Sequence, residues 1–75
     1  MDTELLSEQV QIERKLFSFD LRENQKGRFL RVTEDVGGRR DTVIIPATGL
    51  EEVSRIIARS VDANAAAASA GPGDP

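Results

Sequence analysis

The sequence contains no cysteine and no histidine. Without cysteine the chain can form neither a disulfide nor a thiolate metal site, and without histidine it lacks the commonest metal ligand and general base. A chain of 75 residues makes one small domain, which buries only about 60% of the surface that its unfolded form exposes. Because no disulfide or metal compensates for so small a core, we expect self-association to stabilise the fold.

Long apolar runs and phosphate-binding glycine loops are also missing. Residues 1–8 are acidic and polar, without the basic start and apolar stretch of a signal peptide, so we expect a cytoplasmic protein. No spaced set of metal ligands is present, and the carboxylates of Glu34, Asp35 and Asp41 flank a turn, where an acid group is more often solvated than catalytic. The sequence therefore predicts no enzyme and no cofactor.

The net charge is −3, which argues weakly against nucleic acid as a partner, but the charge is unevenly distributed. Residues 1–13 carry four acidic side chains and no basic one. Residues 14–31 carry six basic side chains against two acidic ones, a local charge of +4. The local field decides what an anion meets at close range. Charge alone nevertheless favours the plainer alternative of solvated strand faces.

Apolar residues alternate with polar ones in several stretches, the period of strands with one buried face. The predicted strands are residues 9–13, 16–22, 28–34 and 42–45. In the second strand Phe17, Phe19 and Leu21 share one face, and Ser18, Asp20 and Arg22 share the other. Turn residues at 24–27 and the Gly-Gly pair at 37–38 indicate hairpins between neighbouring strands.

A helix is predicted after the fourth strand. Residues 48–51 match the capping-box pattern with Thr48 as N-cap, and an apolar stripe then continues to Val61. We expect the helix over residues 49–62, extended a turn or two by the alanines that follow. The Gly/Pro-rich end cannot pack. The predicted organisation is a flexible N-terminus at 1–7, a folded unit at 8–62 and a disordered Ala/Gly/Pro-rich tail at 63–75.

The element order is β-β-β-β-α, which predicts an α+β fold: a four-stranded antiparallel meander followed by one helix. One helix covers only part of a four-stranded sheet. A second copy would cover the rest, so the pattern predicts a homodimer.

The third predicted strand, residues 28–34, carries an aromatic side chain that does not share a face with its core-facing residues. If Leu30 and Val32 face the core, Phe29 lies on the outer face with Arg31, near Arg22 and Asn24. There it can stack a nucleobase, a contact of about 1–3 kcal/mol per base, while basic side chains meet phosphates. Unpaired bases suit such a site, because a duplex hides their faces. The open alternative is that Phe29 packs in a dimer interface or under the helix.

Residues 22–32 resemble the core motif of the PUR-repeat (Pur-alpha-like) family of single-stranded nucleic-acid-binding proteins. That motif runs basic-x-Asn-x-basic-Gly-Arg-Phe-Leu-basic-aliphatic, and residues 17–21 resemble the strand that precedes it. The resemblance covers residues 8–62 and amounts to one repeat, as in bacterial members. It implies that two copies intertwine their sheets and helices into a Whirly-like homodimer.

The resemblance also implies which residues bind nucleic acid. In order along the chain they are Arg14, Lys15, Arg22, Asn24, Lys26, Phe29 and Arg31. Phe29 matches a residue that, in the family, inserts between bases. Arg14 and Lys15 lie in a segment between the first two strands that also contributes to binding in the family. Glu13 departs from the neutral residue expected at the end of that segment. Arg28 shares the register of Leu30, which indicates contact with the dimer partner rather than ligand.

The predicted function is binding of single-stranded DNA or RNA in nucleic-acid regulation such as transcription. The resemblance adds a purine-rich preference and local strand separation. The alternative function is a protein-interaction or dimerisation module that binds no nucleic acid.

Overall fold

A computed structural model describes residues 2–70 of the chain. Its elements are β1 (Thr3–Ile12), β2 (Lys15–Asn24), β3 (Gly27–Val36), β4 (Arg39–Pro46), a 3-10 turn (Ala47–Gly49) and α1 (Leu50–Ala70). The strands form one antiparallel sheet in the order β1-β2-β3-β4. The predicted α+β meander followed by one helix is therefore confirmed.

The first strand is longer at its N-terminal end than alternation predicted. It begins at Thr3, which pairs with Glu23, so residues 3–7 of the predicted flexible N-terminus form the first half of β1. The register shifts between Glu4 and Leu6, and such a bulge adds one residue to the strand. Leu5 is the extra residue. The adjacent leucines Leu5 and Leu6 therefore interrupt the alternation of polar and apolar residues by which a strand is identified.

The helix runs from Leu50 to Ala70. It therefore includes the expected extension of about two turns through the alanines, which have the highest helix propensity, and residues 63–70 of the predicted disordered tail are helical. The predicted N-cap is wrong: Thr48 lies inside the 3-10 turn, whose N-cap is Pro46 and has no side-chain capping bond. Met1 and residues 71–75 of the predicted tail lie outside the described residues.

The strand register gives the sheet one apolar and one polar face. Residues directly opposite each other in an antiparallel pair point to the same side. Leu21 pairs with Leu30 and Leu30 with Ile45, so the three lie together on the apolar face. The neighbouring row on the same face is Phe19, Val32 and Val43. The predicted separation of Phe17, Phe19 and Leu21 from Ser18, Asp20 and Arg22 is confirmed.

The apolar face is only partly covered by its own helix. Leu50, Val53 and Ile57 of α1 border a depression together with Leu30, whereas Val61 further along is 62% exposed. No residue in the range 2–70 is fully buried. The radius of gyration is 15.8 Å, against about 11 Å for a compact domain of this length. The single chain thus presents two apolar surfaces without a closed core.

The helix that the structure describes is not apolar enough over a sufficient length to cross a lipid bilayer.

Candidate nucleic-acid interface

The hairpin turn between β2 and β3 uses part of the side chain of Asn24. Asn24 pairs with Gly27 across the hairpin, and Asn24 Oδ1 accepts a hydrogen bond of 2.9 Å from the backbone N–H of Lys26. Such a bond is typical of asparagine at turns. Gly27 has a φ of 135°, which L side chains rarely adopt. The carbonyl end of the Asn24 amide thus shapes the turn, and the amide nitrogen is the end suited to a ligand.

Phe29 lies on the polar face, beside this turn. It is paired with Arg22 on β2 and with Pro46 on β4, and it is half-buried. Leu30, which borders α1, points to the other face. The register therefore places Phe29 away from its own helix.

An apolar depression surrounds the Phe29 ring at this end of the sheet. It is lined by Asn24, Lys26, Gly27, Arg28, Phe29, Ile44 and Pro46. The last two were not identified from the sequence, where Ile44 reads only as part of a short apolar strand. Pairing β4 to β3 through the two-residue turn at Gly37-Gly38 would have placed Ile44 on the polar face.

The arginines of the polar face are held by carboxylates. Arg22 is 20% exposed and contacts Asp2 Oδ2 through Nε at 3.4 Å and Glu4 Oε1 through Nη1 at 3.6 Å. Arg31 Nη2 lies 3.7 Å from Asp20 Oδ2. The acidic start of the chain therefore offsets charge in the basic segment, which counting along the sequence did not show.

Arg40 also lies on the polar face, although the sequence placed it in a connecting loop. It pairs with Asp35 across the β3–β4 hairpin and lines a polar depression that also includes Arg31. Arg40 Nε lies 3.0 Å from Asp35 Oδ2, and the Gly38 N–H donates to Asp35 Oδ1 at 3.0 Å. These hydrogen bonds, the one from Arg40 first, hold the pKa of Asp35 below its usual value.

Two predicted site residues lie far from the others within one chain. Arg14 and Lys15 are at the β1–β2 turn, and β2 separates them from Asn24 by about 30 Å at the usual rise per residue. Lys15 lies on the apolar side, where its Nζ is 2.9 Å from Glu34 Oε2. A single chain therefore brings together Arg22, Asn24, Lys26, Phe29 and Arg31 but not Arg14 or Lys15.

Arg28 lies where its register predicted. Its Nη1 is 3.1 Å from Glu23 Oε2, and both residues belong to the apolar side of the sheet by pairing. At the end of the hairpin its long side chain also reaches the rim of the Phe29 depression.

Comparison with known proteins identifies the family. The family model described as "PurA ssDNA and RNA-binding protein" matches residues 1–71. The chain is similar to "Transcription factor Pur-alpha 1" from Arabidopsis thaliana, with 47% identity over 49 residues. That match covers 65% of this chain but 17% of the plant protein, so the chain spans a small part of that relative's length. The residues matched by the family model include the Phe29 hairpin and all four strands. The chain therefore belongs to the PurA family of single-stranded DNA- and RNA-binding proteins.

Proposed function

We propose that this chain binds single-stranded DNA or RNA through the polar face of its sheet, at the β2–β3 hairpin. The observation that carries the proposal is the position of Phe29 in an apolar depression on an otherwise polar face, rimmed by Asn24 and Lys26. An aromatic ring in this setting offers a stacking surface to any base. The basic side chains around it offer contacts to phosphates.

Each proposed site residue has a role that fits its surroundings. Phe29 stacks a base, and the amide nitrogen of Asn24 donates to a base edge or phosphate. Arg22, Arg31 and Lys26 bind phosphate oxygens. Lys26 is exposed and has no ion pair among residues 2–70, so it is available without breaking an existing contact.

We propose that the binding unit is a homodimer. The apolar face of the sheet and the apolar stripe of α1 are the two surfaces left open in one chain, with Val43 59% and Ile57 57% exposed. If each helix packs on the other copy's sheet, both surfaces are buried. Each Å² of apolar area buried in this way stabilises the dimer by about 25 cal/mol. A dimer also supplies a second β1–β2 turn, through which Arg14 and Lys15 can contact a longer strand.

Purine-rich preference and local strand separation are further parts of the proposal. A purine offers the larger π-surface to Phe29, and insertion of a ring between neighbouring bases would disturb their stacking. The plant relative is named a transcription factor, and we propose a regulatory role of that general kind for this chain.

Fluorescence anisotropy with labelled single strands tests the binding proposal. Saturable binding is expected, tighter for purine-rich than for pyrimidine-rich strands. The logarithm of the association constant should fall linearly with the logarithm of salt concentration, by about 0.7 per phosphate contacted. No binding at low salt would contradict the proposal, and equal affinity for both strands would contradict only the purine preference.

Retention on a heparin or single-stranded DNA resin separates this function from a protein-interaction module. The double variant Arg22→Ala/Arg31→Ala should elute at lower salt than the wild type. Arg55→Ala/Arg59→Ala is the matched control, because it removes the same charge from the exposed side of α1. Equal and negligible retention of wild type and the Arg22/Arg31 variant would favour the interaction module.

A further inference from the structure

We infer that Ile44 and Pro46 form the second wall of a cleft that receives one unpaired base against Phe29. The inference rests on the proposed function, since it assigns new residues to the same interface. Neither residue belongs to the motif that identified the site. Their part follows from how β4 is paired to β3.

The register places the three apolar side chains around one depression. Phe29 lies directly opposite Pro46, and Ile44 is the diagonal neighbour of Phe29, since Arg31 is its direct partner. Diagonal neighbours on one face are about 7–8 Å apart, within reach of an aromatic ring. The depression has a volume of about 390 Å³, near the lower end of the ~300–1,000 Å³ of small-ligand clefts. That volume suits a planar ring rather than a helix.

The exposure of Ile44 has no explanation in the fold itself. Its neighbours along β4, Val43 and Ile45, point to the apolar face, whereas Ile44 points to the polar face and is 52% exposed. Two residues earlier the same face carries Thr42, which pairs with Thr33. A β-branched polar residue at position 44 would maintain the strand equally well. The aliphatic side chain therefore points to an apolar contact made on binding.

The surroundings of the cleft favour a nucleobase over a second copy of the chain. The cleft is rimmed by Lys26, Arg28 and Asn24, which match the phosphates and polar edges that accompany a base. A second copy has a larger apolar surface to cover on the opposite side of the sheet. In the cleft, one side of the base meets the Phe29 ring and the other meets the Ile44 side chain, while Pro46, directly opposite Phe29, borders the base at its edge.

The test compares two single strands that differ only in their bases. One is a labelled strand of about 12 nucleotides, within the ~4–16 nucleotide site sizes of such proteins; the other is an equally long deoxyribose-phosphate strand without bases. Ile44→Ala should weaken binding of the first about fivefold, as expected when only the exposed half of an aliphatic side chain becomes buried on binding. It should leave binding of the second unchanged. Thr42→Ala is the matched control on the same strand and face, and it should change neither affinity.

A second pair of variants separates contact with the base from a structural effect. Ile44→Phe enlarges the wall and should tighten binding of the base-bearing strand. In a Phe29→Ala background, Ile44→Ala should cost less than in the wild type, because the base is then held from one side only. Thermal melting of each variant checks that the fold is retained.

The outcomes distinguish this inference from the proposed function. If the wild type binds and Phe29→Ala weakens binding while Ile44→Ala does not, the second wall is wrong and the proposed function stands. If Ile44→Ala lowered the affinity for both strands equally, the inference would also be overturned, because the variant would then act through the fold or through phosphate contacts. If the wild type binds neither strand, the proposed function fails and the inference with it.

Discussion

The carboxylate of Asp2 lies 3.4 Å from Nε of Arg22, so an acidic residue of the N-terminal segment forms an ion pair with a basic residue of the proposed interface. Glu4 contacts the same guanidinium at 3.6 Å, and Asp2 also borders a depression with Asn24 and Lys26. A phosphate approaching Arg22 must displace these carboxylates or bind beside them. The acidic side chains just before and at the start of β1 therefore compete with the proposed ligand.

Removing that competition should tighten binding. We expect Asp2→Asn/Glu4→Gln to bind a single strand up to about fivefold more tightly, since exposed ion pairs contribute about 0–1 kcal/mol. If the carboxylates keep a phosphate away from Arg22 in the wild type, the variant gains one phosphate contact and its salt dependence becomes steeper by about 0.7; if the phosphate already binds beside them, the slope stays the same. The control Glu52→Gln/Asp62→Asn makes the same change of charge on α1. An equal gain in both double variants would mean that only net charge matters.

Phe29 and Phe19 should respond differently to truncation, because they lie on opposite faces of the sheet. Phe29→Ala is expected to weaken binding by about 1–3 kcal/mol, or about fivefold to 150-fold, while the melting temperature changes little. Phe19→Ala removes a ring from the apolar face and should chiefly lower stability. Anisotropy titrations and thermal melts of both variants give the comparison. Unfolding of the Phe29 variant would show that its ring is structural.

Asn24 allows the turn and the ligand contact to be separated. Asn24→Asp keeps an oxygen that accepts from the Lys26 N–H, whereas it loses the amide donor and adds a negative charge. It should therefore melt near the wild-type temperature but bind single strands more weakly. Asn24→Ala loses both groups and should lower the melting temperature as well. If Asn24→Asp binds like the wild type, the amide nitrogen has no part in recognition.

The proposed dimer can be tested by placing a charge on the apolar face. Val43→Asp adds a carboxylate that is exposed in a single chain but buried against a second copy, and burial of an unpaired charge is costly. Sedimentation equilibrium should show a dimer for the wild type and monomer or unfolded chain for the variant. Thr42→Asp carries the same charge on the polar face and should remain dimeric. A folded Val43→Asp dimer would contradict the proposed interface.

The pKa of Asp35 predicts how one turn responds to acid. Since hydrogen bonds from Arg40 and Gly38 lower this pKa in the folded chain, Asp35 stabilises the fold above its unfolded pKa of about 3.9. That contribution is lost as pH falls through the lower folded pKa. The difference in unfolding free energy between wild type and Asp35→Asn should therefore be constant near neutrality and shrink in acid. A difference that grows below pH 4 would contradict the assignment.

The faces of Phe29 and Leu30 follow from the local sequence, whereas the beginning of β1 and the start of the helix do not. Alternation placed Leu30 and Phe29 on opposite faces, and the structure agrees because the side-chain period of a strand is fixed by its backbone. The beginning of β1 was missed because the irregular register between Glu4 and Leu6 breaks that period. Thr48 matched a capping pattern, yet the chain turns helical at Ala47, directly after Pro46.

The sequence by itself determined the four strands, the helix, the two faces of the sheet and the place of Phe29 on the polar one. These are consequences of local periodicity and turn chemistry, which need only neighbours along the chain. Tertiary structure alone decided the contacts between strands. It set Asp2 and Glu4 on Arg22 and brought Arg40 and Arg31 to one depression, because contacts between side chains across a sheet depend on the register, which the bulge in β1 shifts. The place of Ile44 beside Phe29, by contrast, follows from the two-residue turn at Gly37-Gly38.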